Sequence, residues 1–128
     1  MNSDANKKES LSSNVSRLES VSSPNEELIL VDSSDRPIGH ATKGEAHKDM
    51  GMLHRAFSIF LFDELGRVLL HQRSSKKPLW PGYWTNSCCS HPRRGETLRG
   101  AAERRLFEEL GVRGTVPPVY HIEYHASF

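Results

Sequence analysis

The sequence predicts a domain of mixed α and β structure, α+β or α/β in character, with several short strands set around one helix. Three observations carry this. Apolar runs of strand length, "ELILVD", "RAFSIFLF" and "RVLLHQR", are separated by turns rich in Gly, Pro and Asp. One later segment, "ETLRGAAERRLFEELG", repeats its apolar residues at helical spacing. The chain has 128 residues and no internal repeat, which leaves room for one domain with one modest core.

The elements follow in order. Residues 1–24, "MNSDANKKESLSSNVSRLESVSSP", have almost nothing to bury and are expected to form a disordered polar tail. From residue 25 onward the chain should fold. "ELILVD" reads as a strand, "SSDRPIG" as a turn, and "HATKGEAH" as an extended or looped segment. "RAFSIFLF" is almost continuously apolar, which predicts a strand buried on both faces. "DELG" turns the chain and "RVLLHQR" returns it, making a hairpin; "SSKKPLWPGYW" is a Pro/Gly loop. The helix ends at Gly111, and "VPPVYHIEYHASF" begins another strand. Counting 100° per residue from Leu98 puts Ala101, Ala102, Leu106 and Leu110 on one broad face. Arg105 and Glu109 fall on that same face. An acid and a base on the buried side must pair with each other or face a ligand.

Charge and composition exclude several functions. A net charge of +1 gives no bulk basic field for nucleic acid or a membrane surface. No stretch reaches the ~18 apolar residues of a membrane span. The start of the chain has no apolar core of a signal peptide and contains acids, which argues against secretion or import and predicts a cytoplasmic protein. Basic residues gather locally at Arg73, Lys76, Lys77, Arg93, Arg94, Arg99, Arg104 and Arg105. Such a cluster is either a solvated face or a seat for an anionic small molecule.

Chemistry concentrates in "WTNSCCSHPRRGE", residues 84–96, which holds both of the chain's cysteines. Neighbouring cysteines make a poor disulfide, because a vicinal bridge strains the backbone and closes no loop. A metal ligand, a reactive thiol and an inert pair remain open. His47, His54 and His91 could offer neutral imidazoles to a divalent ion, although their spacing matches no zinc-finger pattern.

The order of motifs is more specific than any one of them. "GEAH…H" ahead of "FSIFLF", then "HQRSSKKPLWPGYWTNSCCSHP" and "RRLFEELGV", closely resembles the type 1 isopentenyl diphosphate isomerases, a branch of the Nudix fold. The match runs from about Glu27 to Phe128 and implies an α+β fold with a mixed sheet flanked by helices. In the Nudix signature a Gly is followed six residues later by Glu and then by Arg-Glu-x-x-Glu-Glu-x-Gly. Here those positions hold Ser90, Glu96, Arg104-Arg105, Glu108-Glu109 and Gly111. Arg105 replaces a glutamate that the hydrolytic branch resembles itself in using for metal, which favours isomerisation over phosphoanhydride hydrolysis.

The resemblance implies roles for individual residues. Cys89 matches the catalytic cysteine and Tyr124 the active-site tyrosine, the latter across a one-residue gap. His47, His54 and His91 match the ligands of a tightly bound divalent ion, Mn²⁺, Zn²⁺ or Mg²⁺. Glu109 matches the acid that holds a second ion, Mg²⁺, against the substrate diphosphate. Lys43, Arg73, Lys77 and Arg105 match the basic residues around that diphosphate. The implied substrate is isopentenyl diphosphate, converted to dimethylallyl diphosphate by adding one proton and removing another. The intermediate is cation-like, so the site must exclude water and flank the carbon chain with an acid and a base. A thiol of tuned pKa suits one role; a metal-bound carboxyl group with a tyrosine suits the other.

Two family glutamates downstream of the tyrosine, which complete the histidine site, and a later tryptophan have no counterpart here. Glu123 is no substitute, since it would face the other side of a strand from Tyr124. The expectation is therefore a Nudix-type domain incomplete at its C-terminal end, with the diphosphate-binding elements present and the catalytic metal site unfinished. Such a chain would expose a sheet edge and an apolar face. Two other functions compete with the isomerase: a Nudix pyrophosphohydrolase, and a non-catalytic remnant that binds metal or a partner chain.

Overall fold

The computed structural model of the chain describes residues 23–126. All of the expected tail except Ser23 and Pro24 lies outside that span, as do the last two residues of the expected C-terminal strand. The element order is β1 (Glu27–Val31), β2 (Pro37–Thr42), α1 (Lys43–Ala46), β3 (Phe57–Ile59), β4 (His71–Gln72), β5 (Trp84–Thr85), β6 (Cys88–Ser90) and α2 (Leu98–Leu110). The mixed α and β architecture agrees with the expected fold class.

β1 is the hub of the site. Its ladder to β2 is antiparallel, with Ile29 opposite His40 and a shift in register between Leu30 and Val31. Its other edge is used as well. Val31 N–H donates to the Leu53 carbonyl, and the Ile29 and Glu27 carbonyls accept from Arg55 N–H and Arg94 N–H. One short strand thus collects two distant segments, around His54 and just after His91. Arg93 pairs with Glu26 at 2.6 Å and Arg55 with Asp35 at 2.9 Å, tying the same two segments down by side chain as well.

Residues 43–46 were expected to be extended or looped, but they form the single turn α1. A reciprocal capping box explains it: Thr42 Oγ1 accepts from Glu45 N–H, while the Glu45 carboxylate accepts from Thr42 N–H. The expected turn at "SSDRPIG" is shorter than its sequence span, because β2 already begins at Pro37.

β3 pairs antiparallel with β6, Ser58 opposite Cys89 and Ile59 opposite Cys88. α2 packs on one side of this pair. Its core contact joins Ile59, Cys88, Ala102 and Leu106, with Phe57, Leu61, Leu110 and Val116 around the margin. The other side is open: Phe60 and Phe62 are exposed, the latter 65%. Burial of β3 on both faces is therefore not what the structure has. The residues pointing away from α2 meet no second layer among the described residues. The hairpin after β3 does form, through a Phe62–Val68 bridge and a bond from Leu69 N–H to the Leu61 carbonyl.

α2 begins at Leu98, two residues after the expected start. Thr97 caps it by accepting from Gly100 N–H at 3.1 Å. It ends where the sequence predicts, at Gly111, whose φ of 67° is left-handed backbone that glycine adopts without a Cβ clash. The strand expected from Val116 is absent among the described residues, where 111–126 is irregular. A strand needs a ladder partner, and none lies alongside this segment; Tyr120, Ile122 and Tyr124 are all exposed. No helix among the described residues is long and apolar enough to cross a membrane.

Candidate active site

Three histidines converge. His47 is the C-terminal cap of α1, His54 is bridged to Leu30 of β1, and His91 follows β6 directly. One ring nitrogen from each lies within 4.8 Å of the other two. The backbone fixes two of these rings. Nδ1 of His47 contacts the Lys43 carbonyl at 2.7 Å, and Nδ1 of His54 contacts the Met52 carbonyl at 2.6 Å. A carbonyl can only accept, so each Nδ1 carries the proton and each Nε2 presents a lone pair. Nδ1 of His91 is buried with no hydrogen-bond partner. Burial, then the charges of His54 and His47, and finally Lys43 and Arg105, push His91 down to about 3. His54 is lowered as well, chiefly by burial, against the bond to Met52 and with repulsion from His47. Three imidazoles with ring nitrogens this close together, one of them an orphaned buried nitrogen, are a donor set that fits a borderline divalent cation.

The two cysteines face opposite ways, as alternation in a strand requires. Cys88 is 0% exposed and lies in the core against α2. Burial, followed by the charge and hydrogen bonding of Glu109, pushes its thiol up to about 12. Cys89 is exposed on the open face. Its thiol donates to Asn86 Oδ1 at 2.6 Å and lies 3.5 Å from Ser58 Oγ.

The basic residues gather around Lys43. Its ammonium is held below the usual lysine range mainly by burial, eased by Glu26 and reinforced by Lys77, Arg105 and Arg73. Loops and helices far apart in sequence thus bring Arg73, Lys77 and Arg105 into range of Lys43. Lys43 and Arg105 also act on His91, so the cationic group adjoins the histidines. Arg105 is 7% exposed and pairs with Glu109, the i,i+4 contact that the helix face allowed. Glu109 is thus shared between Arg105 and Cys88. The other two acids of the signature are tied up by Arg104: Glu96 at 2.7 Å and Glu108 at 3.0 Å.

Tyr124 is the one expected site residue that the fold leaves outside this cluster. It lies in the irregular segment after α2, 73% exposed. Its neighbour His125 does reach the Met50 carbonyl at 3.4 Å, in the loop between His47 and His54. Sequence reasoning passed over three residues that support the site. Ser87 Oγ accepts from Leu61 N–H at 2.8 Å and donates to the Leu69 carbonyl at 2.7 Å, replacing a missing piece of ladder. Asn86 and Ser58 frame the Cys89 thiol. The signal was available in "TNSCC", three small polar residues where a strand would carry apolar ones, but a polar residue there reads equally well as loop.

Comparison with known proteins agrees with this geometry. A family model for the NUDIX domain matches residues 52–128. Isopentenyl-diphosphate Delta-isomerase 2 of Photorhabdus laumondii is 54% identical over 99 residues, covering 77% of this chain and 55% of its own length. The isopentenyl-diphosphate Delta-isomerase of Burkholderia multivorans is 52% identical over 103 residues, covering 80% and 58%. That of Schizosaccharomyces pombe is 45% identical over 109 residues, covering 73% and 48%. The chain thus spans about half the length of the curated relatives it matches. Among solved structures, DR0079 from Deinococcus radiodurans superposes with a TM-score of 0.61 at 28% identity, over 69% of this chain and 54% of the other. A family match across more than half of the chain, on a fold that gathers the signature helix against the cysteine strand, places this protein in the NUDIX domain family.

Proposed function

We propose that this site belongs to an isopentenyl-diphosphate delta-isomerase, which interconverts isopentenyl and dimethylallyl diphosphates. The observation that carries the reading is the joining of an exposed cysteine, three converging histidines and a group of four cations. The names of the relatives support it.

Lys43, Arg73, Lys77 and Arg105 hold the diphosphate, which takes no part in the chemistry and serves as a handle. His47, His54 and His91 would hold a divalent ion, Mn²⁺, Zn²⁺ or Mg²⁺. Glu109 would share Mg²⁺ with the diphosphate, although Arg105 already occupies its Oε1. When bound, these ions would supply positive charge that offsets the diphosphate. The hydrocarbon end lies toward Cys89, on the open face that carries Ser58, Phe60 and Phe62. Cys89 Sγ handles one of the two protons. Tyr124, exposed here, would handle the other with an acidic group. The cation-like intermediate requires that water be kept from this face.

The hydrolase reading is weaker on this geometry. Arg105 sits where that chemistry calls for a carboxylate, and Arg104 engages both Glu96 and Glu108.

The test is conversion of isopentenyl diphosphate to dimethylallyl diphosphate with Mg²⁺ present, run on this chain and on this chain joined to the C-terminal segment of the Photorhabdus relative. Isomerisation in either form, lost on Cys89→Ala, supports the reading. Phosphate release from nucleoside diphosphates without isomerisation in either form would replace it with the hydrolase.

A further inference from the structure

The carboxamide of Asn86 has only one workable orientation. Its Nδ2 donates to the carbonyls of Ile59 at 3.0 Å and Cys88 at 3.2 Å. Its Oδ1 accepts from Thr85 Oγ1 at 2.9 Å and from the Cys89 thiol. Turned over, the oxygen would face two carbonyls and two of its four bonds would become repulsive. The backbone of β3 and β6 therefore sets the amide, and the amide sets the thiol.

That matters because Cys89 is exposed, and an exposed cysteine otherwise samples three χ1 rotamers. An amide oxygen is too weak a base to take the proton, so the proton stays on sulfur while its direction is fixed. Ser58 Oγ, at 3.5 Å across the ladder, is the more distant contact.

We propose that Asn86 is a positioning residue for Cys89: it holds the thiol proton in one direction on the open face of β6, ready to be handled in a defined geometry. The function this serves rests on the isomerase reading; the positioning itself does not. It gives the residue pair a job that the strand alone cannot do, since the ladder fixes Cα and leaves χ1 free.

The S–H stretching vibration reads this directly, in a spectral window free of other protein bands. Subtracting the infrared spectrum of Cys89→Ala from that of the native chain isolates the Cys89 band. Asn86→Ala should move that band to higher frequency, while Ser58→Ala should leave it in place. A band unmoved by Asn86→Ala, or moved by Ser58→Ala instead, would overturn the proposal. Should Asn86→Ala fail to fold, the native band is compared with that of the urea-unfolded chain. It should be narrower and lower in frequency, and coincidence of the two would also overturn the proposal. In the isomerisation assay, Asn86→Ala should lower kcat by about ten- to a hundredfold with KM little changed, as misplacement of a reacting group does. Absence of isomerisation in both the chain and its C-terminally extended form would sink the functional reading and leave the infrared result standing.

Discussion

The two faces of the β3–β6 ladder differ in nearly every property, although their residues alternate along the same few positions. On the α2 side, Ile59, Cys88, Ala102 and Leu106 form a dry core, and the thiol there is pushed up to about 12. On the open side, Cys89 sits among Ser58, Asn86 and the exposed rings of Phe60 and Phe62. The same side-chain type is inert filler on one face and an addressable group on the other. Reactivity is thus a property of the face, set by strand parity and by what covers it.

The sharpest way to break this comparison is at the two sulfurs. Under the isomerase reading, Cys89→Ala should cut turnover by about 10²–10⁴-fold, with stability changed by no more than about 0.5 kcal/mol. Cys88→Ala should keep most of the activity. Equal losses in the two variants would erase the distinction between the faces. Alkylation by iodoacetamide at pH 8 checks it without any assay of function. Native protein should take one label, on Cys89, and Cys88 should label only in urea.

Stability should follow the faces as well. Leu106→Ala opens a cavity in the covered side and should cost about 3 kcal/mol in urea denaturation. Phe62→Ser on the open side should cost no more than about 0.5 kcal/mol. A large loss at Phe62 would mean that the open face is covered in solution.

The histidines give a smaller and conditional effect. If they bind Zn²⁺ or Mn²⁺, an ion at a hundred times its Kd should stabilise the fold by about 2.7 kcal/mol, and His91→Ala should remove that gain. Without metal, the pH dependence has a definite sign. His91 is held down to about 3 in the fold, whereas an unfolded histidine titrates near 6.5. Below about pH 6.5 the unfolded chain binds the extra proton first, so stability falls as pH drops from there toward 3. Above that window His91 contributes no slope. Thermal melts of native protein and His91→Ala across pH 4–8 would show the difference, and identical profiles would mean that His91 is not buried neutral.

A modest effect belongs to α1. Thr42→Ala removes half of its capping box and should cost about 1 kcal/mol in urea denaturation, with a weaker response to added metal because His47 caps the same turn.

Much of this was legible in the sequence. Strand and helix periods placed β1, β3 and α2, and Gly111 marked the end of the helix, because these signals are local and depend on backbone sterics and side-chain spacing alone. The order of motifs around "WTNSCCSHP" pointed to the family and to Cys89, and spacing on α2 placed Arg105 beside Glu109. What the sequence could not state was which faces would be covered. "RAFSIFLF" looks buried on both sides because composition records apolarity and not the presence of a second layer. "VPPVYHIEYHASF" looks like a strand because propensity says nothing about whether a ladder partner lies alongside. The meeting of His47, His54 and His91 depends on which backbone groups use the far edge of β1, and the gathering of Arg73, Lys77 and Arg105 around Lys43 depends on how distant loops and helices pack. Those are contacts between residues far apart in the chain, and only the tertiary structure, by pairing backbone groups across distant segments, decides them.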